Sequence, residues 1–409
     1  MTEKRRVVVT GIGAVTSVGT NIAEFWTNLL GGVCGIRAVS LFDPSAYRTQ
    51  TAAEVTEIPD GFLTAVEKRR MSRADRMGLA AATEAVEQSG LDLSAEDPTR
   101  VGVILGGGTS GLLDSEAYFE RTLDGRPARP SRILNHLPDA ITDRIAQRFG
   151  VEGIKSTITT ACSSSANAMG YAHDAIAAGL ADVILTGGSD VLARLTYGGF
   201  NSLRSVDPGP CRPFDRDRRG LSIGEAAGIL VFEEEGRARR RGAPILAEFL
   251  GYGVTSDAYH MTAPDPSGAA GARTILAALA SAKVNAQDVD YINAHGTATP
   301  QNDSAETAAI KAALGERARE IPVSSIKSMI GHCLCASGAI EAVATVLTVQ
   351  HGQVPPTIHY ENPDPACDLD YVPNEARELV VNVALSNSFA FGGNSTAVVF
   401  GRRNGRSIS

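Results

Sequence analysis

The stretch Thr159-Thr160-Ala161-Cys162-Ser163-Ser164-Ser165 decides how the rest of the chain is read. Ser156, Thr157 and Ile158 before it form a β-type run, and Ala166 to Ala178 after it has the small-residue character of a helix. Cys162 is therefore predicted at a strand-to-helix turn, with its sulfur at a helix N-terminus. Unpaired backbone N–H groups and the positive end of the helix dipole favour thiolate over thiol there. Small neighbours on both sides leave room for a carbonyl to approach the sulfur. These seven residues alone leave two readings open: a nucleophile, or a buried thiol that packs as a small hydrophobe.

The flanking pattern is βα throughout. Val7 to Thr10 reads as a buried strand running into Gly11-Ile12-Gly13. A dinucleotide fingerprint would need Gly at position 16, which is Thr, so a tight turn is expected instead. Asn21 to Leu30 reads as a helix and Phe42 to Glu57 as irregular. Lys68, Arg69, Arg70, Arg73 and Arg76 open a helix that continues through Gly78 to Ser89. Strands follow at Val101 to Leu105, Asp182 to Thr186 and within Gly224 to Glu233, with a helix at Asp139 to Phe149. Arg237 to Arg241 reads as a solvated helix end. A second half begins near Ile245. It holds a helix at Gly268 to Ser281, a strand at Val289 to Ala294, and helices at Ser304 to Leu314 and Ser337 to Gln350. Val380 to Asn387 and Thr396 to Phe400 read as a closing hairpin. Alternation of this kind argues for α/β layers, with halves at 1–250 and 251–409.

Composition narrows the class. The chain has 409 residues, 43% hydrophobic and 21% charged, with a formal net charge of -8. That balance suits a large soluble core and argues against nucleic acid as a partner. Six Cys without regular spacing do not make a disulfide framework. Met1 to Arg6 lacks a signal-peptide apolar stretch, and no run reads as long enough to span a bilayer. A reducing cytoplasmic setting is expected, where a free thiol survives.

Three further features fall at strand ends in the second half: His295, Lys327 with His332, and the turn Phe391-Gly392-Gly393. Ligands of open α/β sheets gather outside such carboxyl ends. A thiol with two imidazoles suits thioester chemistry: sulfur accepts an acyl group, and imidazole N–H groups polarise a second thioester carbonyl. A glycine-rich turn brings backbone N–H groups near a developing oxyanion. Cys333 and Cys335 beside His332 hint at a metal, but no second ligand pair has zinc spacing, so no metal is expected.

Taken together, the ordered motifs are specific. They are Val9-Thr10-Gly11-Ile12-Gly13, Thr160-Ala161-Cys162-Ser163-Ser164, Asn293-Ala294-His295-Gly296-Thr297, Ser325 through His332, and Asn387 through Gly393. The chain resembles the β-ketoacyl-acyl-carrier-protein synthases, condensing enzymes of the thiolase superfamily, over nearly its whole length. The resemblance implies a thiolase fold, duplicated into five αβαβα layers. It implies that Cys162 accepts the acyl group, that His295 and His332 serve the malonyl unit, and that Lys327 orients them and links to Glu341. Backbone N–H groups of Cys162 and Phe391 would form an oxyanion hole, with Phe389 and Ala390 in the gating loop. Thr297, Thr299 and Thr262 would touch the phosphopantetheine arm of an acyl-carrier protein, which delivers the substrate without any bound cofactor. Thr109 and Phe200 are further substrate-binding candidates, and Asp303 and Glu306 are supports. Lys68, Arg69 and Arg70 would dock the acidic carrier.

Departures from the family pattern sit beside the site. Ala390 stands where Gly is frequent, which predicts a stiffer loop. Arg219-Gly220-Leu221-Ser222 replaces an Asp-Gly-Phe-Val stretch, and Cys333 and Cys335 replace apolar and small residues. Several stretches look more like the catalytic subunit of type II polyketide synthases, among them Cys211 through Asp215, Gln301-Asn302-Asp303 and Cys367 through Pro373. The final motif leans toward fatty-acid enzymes. The expected assembly is a heterodimer with a homologous chain-length-factor-type subunit. The alternative is a homodimeric fatty-acid elongation synthase. A non-catalytic partner subunit is disfavoured because Cys162, His295 and His332 are all present.

Overall fold

The computed structural model describes residues 5–402; of the N-terminal stretch read above, residues 1–4 lie outside it. Ten strands form one sheet: β1 Val7–Val15, β2 Val101–Gly106, β3 Lys155–Ile158, β4 Val183–Asp190, β5 Ala226–Glu234, β6 Ala247–Ser256, β7 Tyr291–Asn293, β8 Val323–Ser324, β9 Val383–Phe389 and β10 Asn394–Gly401. Six helices matter for the site: α1 Arg73–Ser89, α2 Ala140–Phe149, α3 Ser164–Ala177, α4 Ala269–Ala282, α5 Pro300–Leu314 and α6 Ser337–His351.

The order of strands exposes a duplication. The first half runs β3-β2-β4-β5-β1, and the second runs β8-β7-β9-β10-β6. In each half the first strand is antiparallel to the fifth, the fifth to the fourth, and the remaining pairs are parallel. Helices follow the first three strands of both halves. So β1-α1-β2-α2-β3-α3-β4-β5 has its counterpart in β6-α4-β7-α5-β8-α6-β9-β10. The halves join through a short antiparallel pairing of β1 with β6, Val7 facing Phe249 and Val9 facing Ala247. Helices α3 and α6 touch strands of both halves and each other, while α1 with α2 and α4 with α5 cover the outer faces. This is the five-layer α/β arrangement that the resemblance implied. Position 250 lies inside β6, so the second unit begins a little before the boundary expected there.

Helix α6 is buried on every side, its one polar stripe of Ser337, Glu341, Thr345 and Thr348 included. The run Leu334–His351 is long and apolar enough to cross a membrane, contrary to the sequence reading, but 89% of it is buried inside the fold, as a core helix is.

Other expectations need correcting. Strand β1 does not stop at Thr10 but continues through Gly11 and Gly13. A Cβ at Gly11 would lie 2.0 Å from the Ala85 carbonyl oxygen, and one at Gly13 2.0 Å from that of Ala81. These glycines admit α1 against the strand; they form neither a turn nor a nucleotide loop. The basic stretch spans two helices, Ala65–Arg70 and α1, each begun by its own capping box at Thr64 and Ser72. Arg237 and Arg241 are not simply solvated, since both pair with the buried carboxylate of Glu233.

Candidate active site

Cys162 lies between the end of β3 and the start of α3, at the turn the sequence predicted. Ala161 takes a left-handed conformation with φ of 50°, which costs a non-glycine residue about 1–3 kcal/mol and has to be held by its surroundings. The serines hold it. Ser163 Oγ donates to the Thr160 carbonyl at 2.9 Å, and Ser164 Oγ donates to that of Ala161 at 2.6 Å. Thr160 N–H donates to Ser164 Oγ at 2.9 Å. The sequence reading took these residues only as small; their hydroxyls build the turn.

His295 follows β7. Its backbone N–H and that of Gly296 donate to the two oxygens of Glu306 on α5, at 2.8 and 2.7 Å. Gly296 has φ of 36°, and a Cβ there would lie 2.6 Å from that of Ser325. Asp303, one turn earlier on α5, accepts from Phe214 N–H at 2.6 Å and Ala298 N–H at 3.1 Å. Both carboxylates thus brace the loop carrying His295, Thr297 and Thr299.

Lys327 and His332 follow β8. The Lys327 ammonium is buried, pairs with Glu341 of α6 and donates to His295 Nδ1 at 3.4 Å. Glu341 Oε2 has no hydrogen-bond partner among the described residues. Burial pushes the Glu341 carboxyl up to about 7 despite the Lys327 charge. His332 Nδ1 accepts the Leu334 backbone N–H at 3.1 Å and lies 2.8 Å from Ser337 Oγ. Donors at both Nδ1 atoms leave the proton of each neutral ring on Nε2. His332 Nε2 reaches Cys162 Sγ at 3.0 Å, and the two imidazole centroids are 5.4 Å apart. Burial, with the Lys327 charge added, holds both imidazoles well below their ordinary value of 6.5. They are neutral N–H donors at pH 7.

The Cys162 sulfur departs from expectation. Burial pushes its thiol up to about 11, outweighing Lys327 and the backbone N–H groups of Phe391 and Cys162 itself. The resting group is a thiol and not the thiolate that a helix end would favour. The same two N–H groups act on the sulfur, and they are the pair that the resemblance implied for an oxyanion hole.

One cavity, of about 80 Å³, joins these groups. Cys162, His295, His332, Phe200 and Phe391 line it together with Phe389, Ala390, Thr262, Thr297 and Thr299. The Phe200 and Phe391 rings stand 5.7 Å apart. That space holds only about two or three water-sized groups. Ala390 is extended, with φ of -117°; the left-handed positions are Gly392 and Gly393, both with φ of 75°. The alanine therefore costs this loop no strain. The lining also contains Asp257, His260, Asp265 and Asn302, which sequence reading did not single out as site residues. Of these, Asn302 stood only in the stretch Gln301-Asn302-Asp303 quoted for the resemblance.

Thr109 does not reach the cavity. Its backbone N–H donates to Asp190 at 2.9 Å. In the basic stretch, Lys68 pairs with Asp60 at 2.6 Å and Arg73 with buried Glu225 at 2.6 Å. Arg69 and Arg70 are exposed and form no ion pair among the described residues. Cys333 and Cys335 are buried core thiols.

Comparison with known proteins decides the family. Residues 4–238 match the model of the beta-ketoacyl synthase N-terminal domain, and 246–361 that of its C-terminal domain. The chain belongs to the β-ketoacyl synthase family. This synthase is 45% identical to a Streptomyces halstedii protein named as a polyketide beta-ketoacyl synthase, over 97% of both chains. It is 42% identical to the 3-oxoacyl-[acyl-carrier-protein] synthase 2 of Synechocystis sp., over 97% of this chain and 98% of that one. The ishigamide ketosynthase/chain length factor structure superposes with a TM-score of 0.93 at 36% identity, covering 98% of this chain and 100% of that chain. The β-ketoacyl synthase is accordingly a condensing acyltransferase with the thiolase fold.

Proposed function

We propose that this synthase extends a carrier-bound chain by decarboxylative condensation in type II polyketide biosynthesis, where a polyene-forming system would accommodate its mixture of polyketide-like and fatty-acid-like motifs. The observation that carries the reading is the set of Cys162 Sγ, His332 Nε2 at 3.0 Å and the neighbouring His295 ring in one cavity. In the first step Cys162 attacks an acyl thioester. The new bond is acyl to Sγ, and the thiol proton ends on the departing carrier sulfur. In the second, malonyl-carrier enters, its carbon–carboxylate bond breaks and carbon dioxide leaves. The freed electron pair forms an enolate, whose oxygen takes hydrogen bonds from the Nε2–H groups of His295 and His332. The enolate carbon attacks the acyl carbonyl held at Cys162 and Phe391 N–H, and Sγ leaves as a thiolate that takes up one proton from solvent to restore the thiol. Losing one donor aimed at such a charge costs on the order of 10²–10³ in rate.

Lys327 acts through His295, fixing its tautomer. Thr262, Thr297 and Thr299 meet the phosphopantetheine arm, which belongs to the substrate; no other cofactor is required. Arg69 and Arg70, with Lys68 beside them, dock the acidic carrier. A homologous chain-length-factor-type subunit completes the enzyme in the cytoplasm, in line with the ketosynthase/chain length factor relative. A homodimeric fatty-acid elongation synthase is the second reading, favoured by the Synechocystis relative and by the Phe389-Ala390-Phe391-Gly392-Gly393 loop.

The test is mass spectrometry of the carrier-bound products made from malonyl-carrier protein and an acyl primer, together with the Cys162 peptide. Unreduced or polyene-length chains, and an acyl adduct on Cys162, support the reading. An adduct on Cys333 or Cys335 with Cys162 clean contradicts it.

A further inference from the structure

We propose that Asp190 is a positioning residue that sets the tautomer of His332 by tying down the turn after it. The inference rests on the condensing role proposed above and names a further residue of that site.

Asp190 ends β4 and is fully buried. Backbone N–H groups satisfy its carboxylate. Oδ1 accepts from Thr109 at 2.9 Å, Ser110 at 3.3 Å and Val191 at 3.1 Å, and Oδ2 accepts from Cys335 at 3.1 Å. Three chain segments meet on this one group: the loop after β2, the end of β4, and the turn between His332 and α6. A buried carboxylate is costly to desolvate, so one that gathers donors from three separate chain segments has a reason to be there.

The reason lies in the His332 turn. Leu334 has φ of 50°, a conformation a leucine keeps only under constraint. The N–H of this strained residue donates to His332 Nδ1, 3.1 Å away. Cys335 follows immediately, and its N–H is the one Asp190 Oδ2 holds. Without that anchor Leu334 can relax and withdraw its donor. The remaining Nδ1 neighbour is the Ser337 hydroxyl at 2.8 Å, which can donate or accept. His332 could then carry its proton on Nδ1 and offer a bare Nε2 to the cavity. A bare Nε2 still assists Cys162 in acyl loading, but it cannot donate to an enolate.

Asp190→Asn tests this. One amide oxygen can still serve the Oδ1 donors, while the amide nitrogen cannot accept from Cys335. Loading of Cys162 from an acyl-carrier donor should stay within about threefold of the parent. Carbon dioxide release per titratable Cys162 should fall tenfold or more, with the KM for malonyl-carrier changed by less than about twofold. Gly108→Ala is the second probe, because its Cβ would lie 2.3 Å from Cys335 Sγ and 3.4 Å from Asp190 Oδ2. It presses on the same turn with the carboxylate kept, should give the same split, and decides the matter if Asp190→Asn does not fold. Loading and release falling in equal proportion, or release unchanged, would overturn the inference. A parent enzyme that loads but releases no carbon dioxide would instead refute the condensing role itself.

Discussion

At Cys162 two effects oppose each other, a helix end that favours the thiolate and a buried site that favours the thiol. A helix terminus contributes about 0.3–1 kcal/mol, up to about 2 in favourable geometry. Burial can move a pKa by several units at about 1.4 kcal/mol each. The larger effect wins, and the thiol is pushed from 9.0 up to about 11. The thiolate fraction should therefore rise about tenfold per pH unit through pH 9 and 10. Iodoacetamide labelling of Cys162, followed on its tryptic peptide, should climb across that range; a plateau below pH 8.5 would show the helix end in control. The imidazoles give a second prediction. Their folded pKa values lie below the unfolded 6.5. The stability they contribute is thus present above pH 6.5 and is lost as pH falls through the folded values, by up to about 1.4 kcal/mol per pH unit for each ring. Glu341, raised from 4.5 to about 7, works the other way over part of that window. Single variants isolate the rings: His295→Asn and His332→Asn should each flatten the fall in urea midpoint between pH 6.5 and 5. An unchanged slope in both would mean the rings are charged in the native state. The residue types and their order were legible in sequence. The sign of the Cys162 shift was not, because it depends on how deeply α3 is covered by a helix more than 150 residues later, α6.

Elements were read well where periodicity is long and poorly where packing overrides it. The C-terminal ends of α1, α2 and α6 follow glycine signals, with Gly90, Gly150 and Gly352 closing them in left-handed conformation. Gly11 and Gly13 look like a turn locally and become strand only because α1 lies on them. The short helix Ala65–Arg70 shows the same limit for charge. Three adjacent basic residues read alike in sequence, yet Lys68 is tied to Asp60 while Arg69 and Arg70 face solvent. This separates their roles. Arg69→Glu with Arg70→Glu should raise the KM for carrier-bound substrates several-fold, more strongly at low salt, and leave a short pantetheine thioester unaffected. Lys68→Glu should also disturb the Asp60 pair, which Arg76 shares, and lower stability with both substrates. Equal loss on both substrate types in the double Arg variant would remove these residues from docking.

At the scale of the molecule, the duplication was invisible in the chain because the two halves share strand order and not residue pattern. Strand β3 is Lys155–Ile158, partly exposed, while β8 is the buried pair Val323–Ser324. The surface carries a signal that bears on assembly. Helix Leu112–Leu123 packs on the segment Pro130–His136, and together with Leu137 they leave Phe119, Leu123, Leu134 and Leu137 exposed, Leu123 at 86%. Large apolar side chains exposed on two segments that pack together are the kind of surface a protein partner covers. The proposed homologous subunit is its expected cover, since closed two-fold pairing is the common geometry for related chains. Co-expressed with such a subunit, the synthase should purify as a one-to-one complex, and Leu123→Lys with Leu134→Lys should dissociate it while leaving each chain folded. Expressed alone, it should load Cys162 but complete few elongation cycles, because the complementary face is missing. Light scattering and product analysis on the single chain decide between the two assemblies. A stable homodimer that runs repeated condensations unaided would transfer the apolar face to self-association and the enzyme to the fatty-acid reading, with the chemistry at Cys162 unchanged.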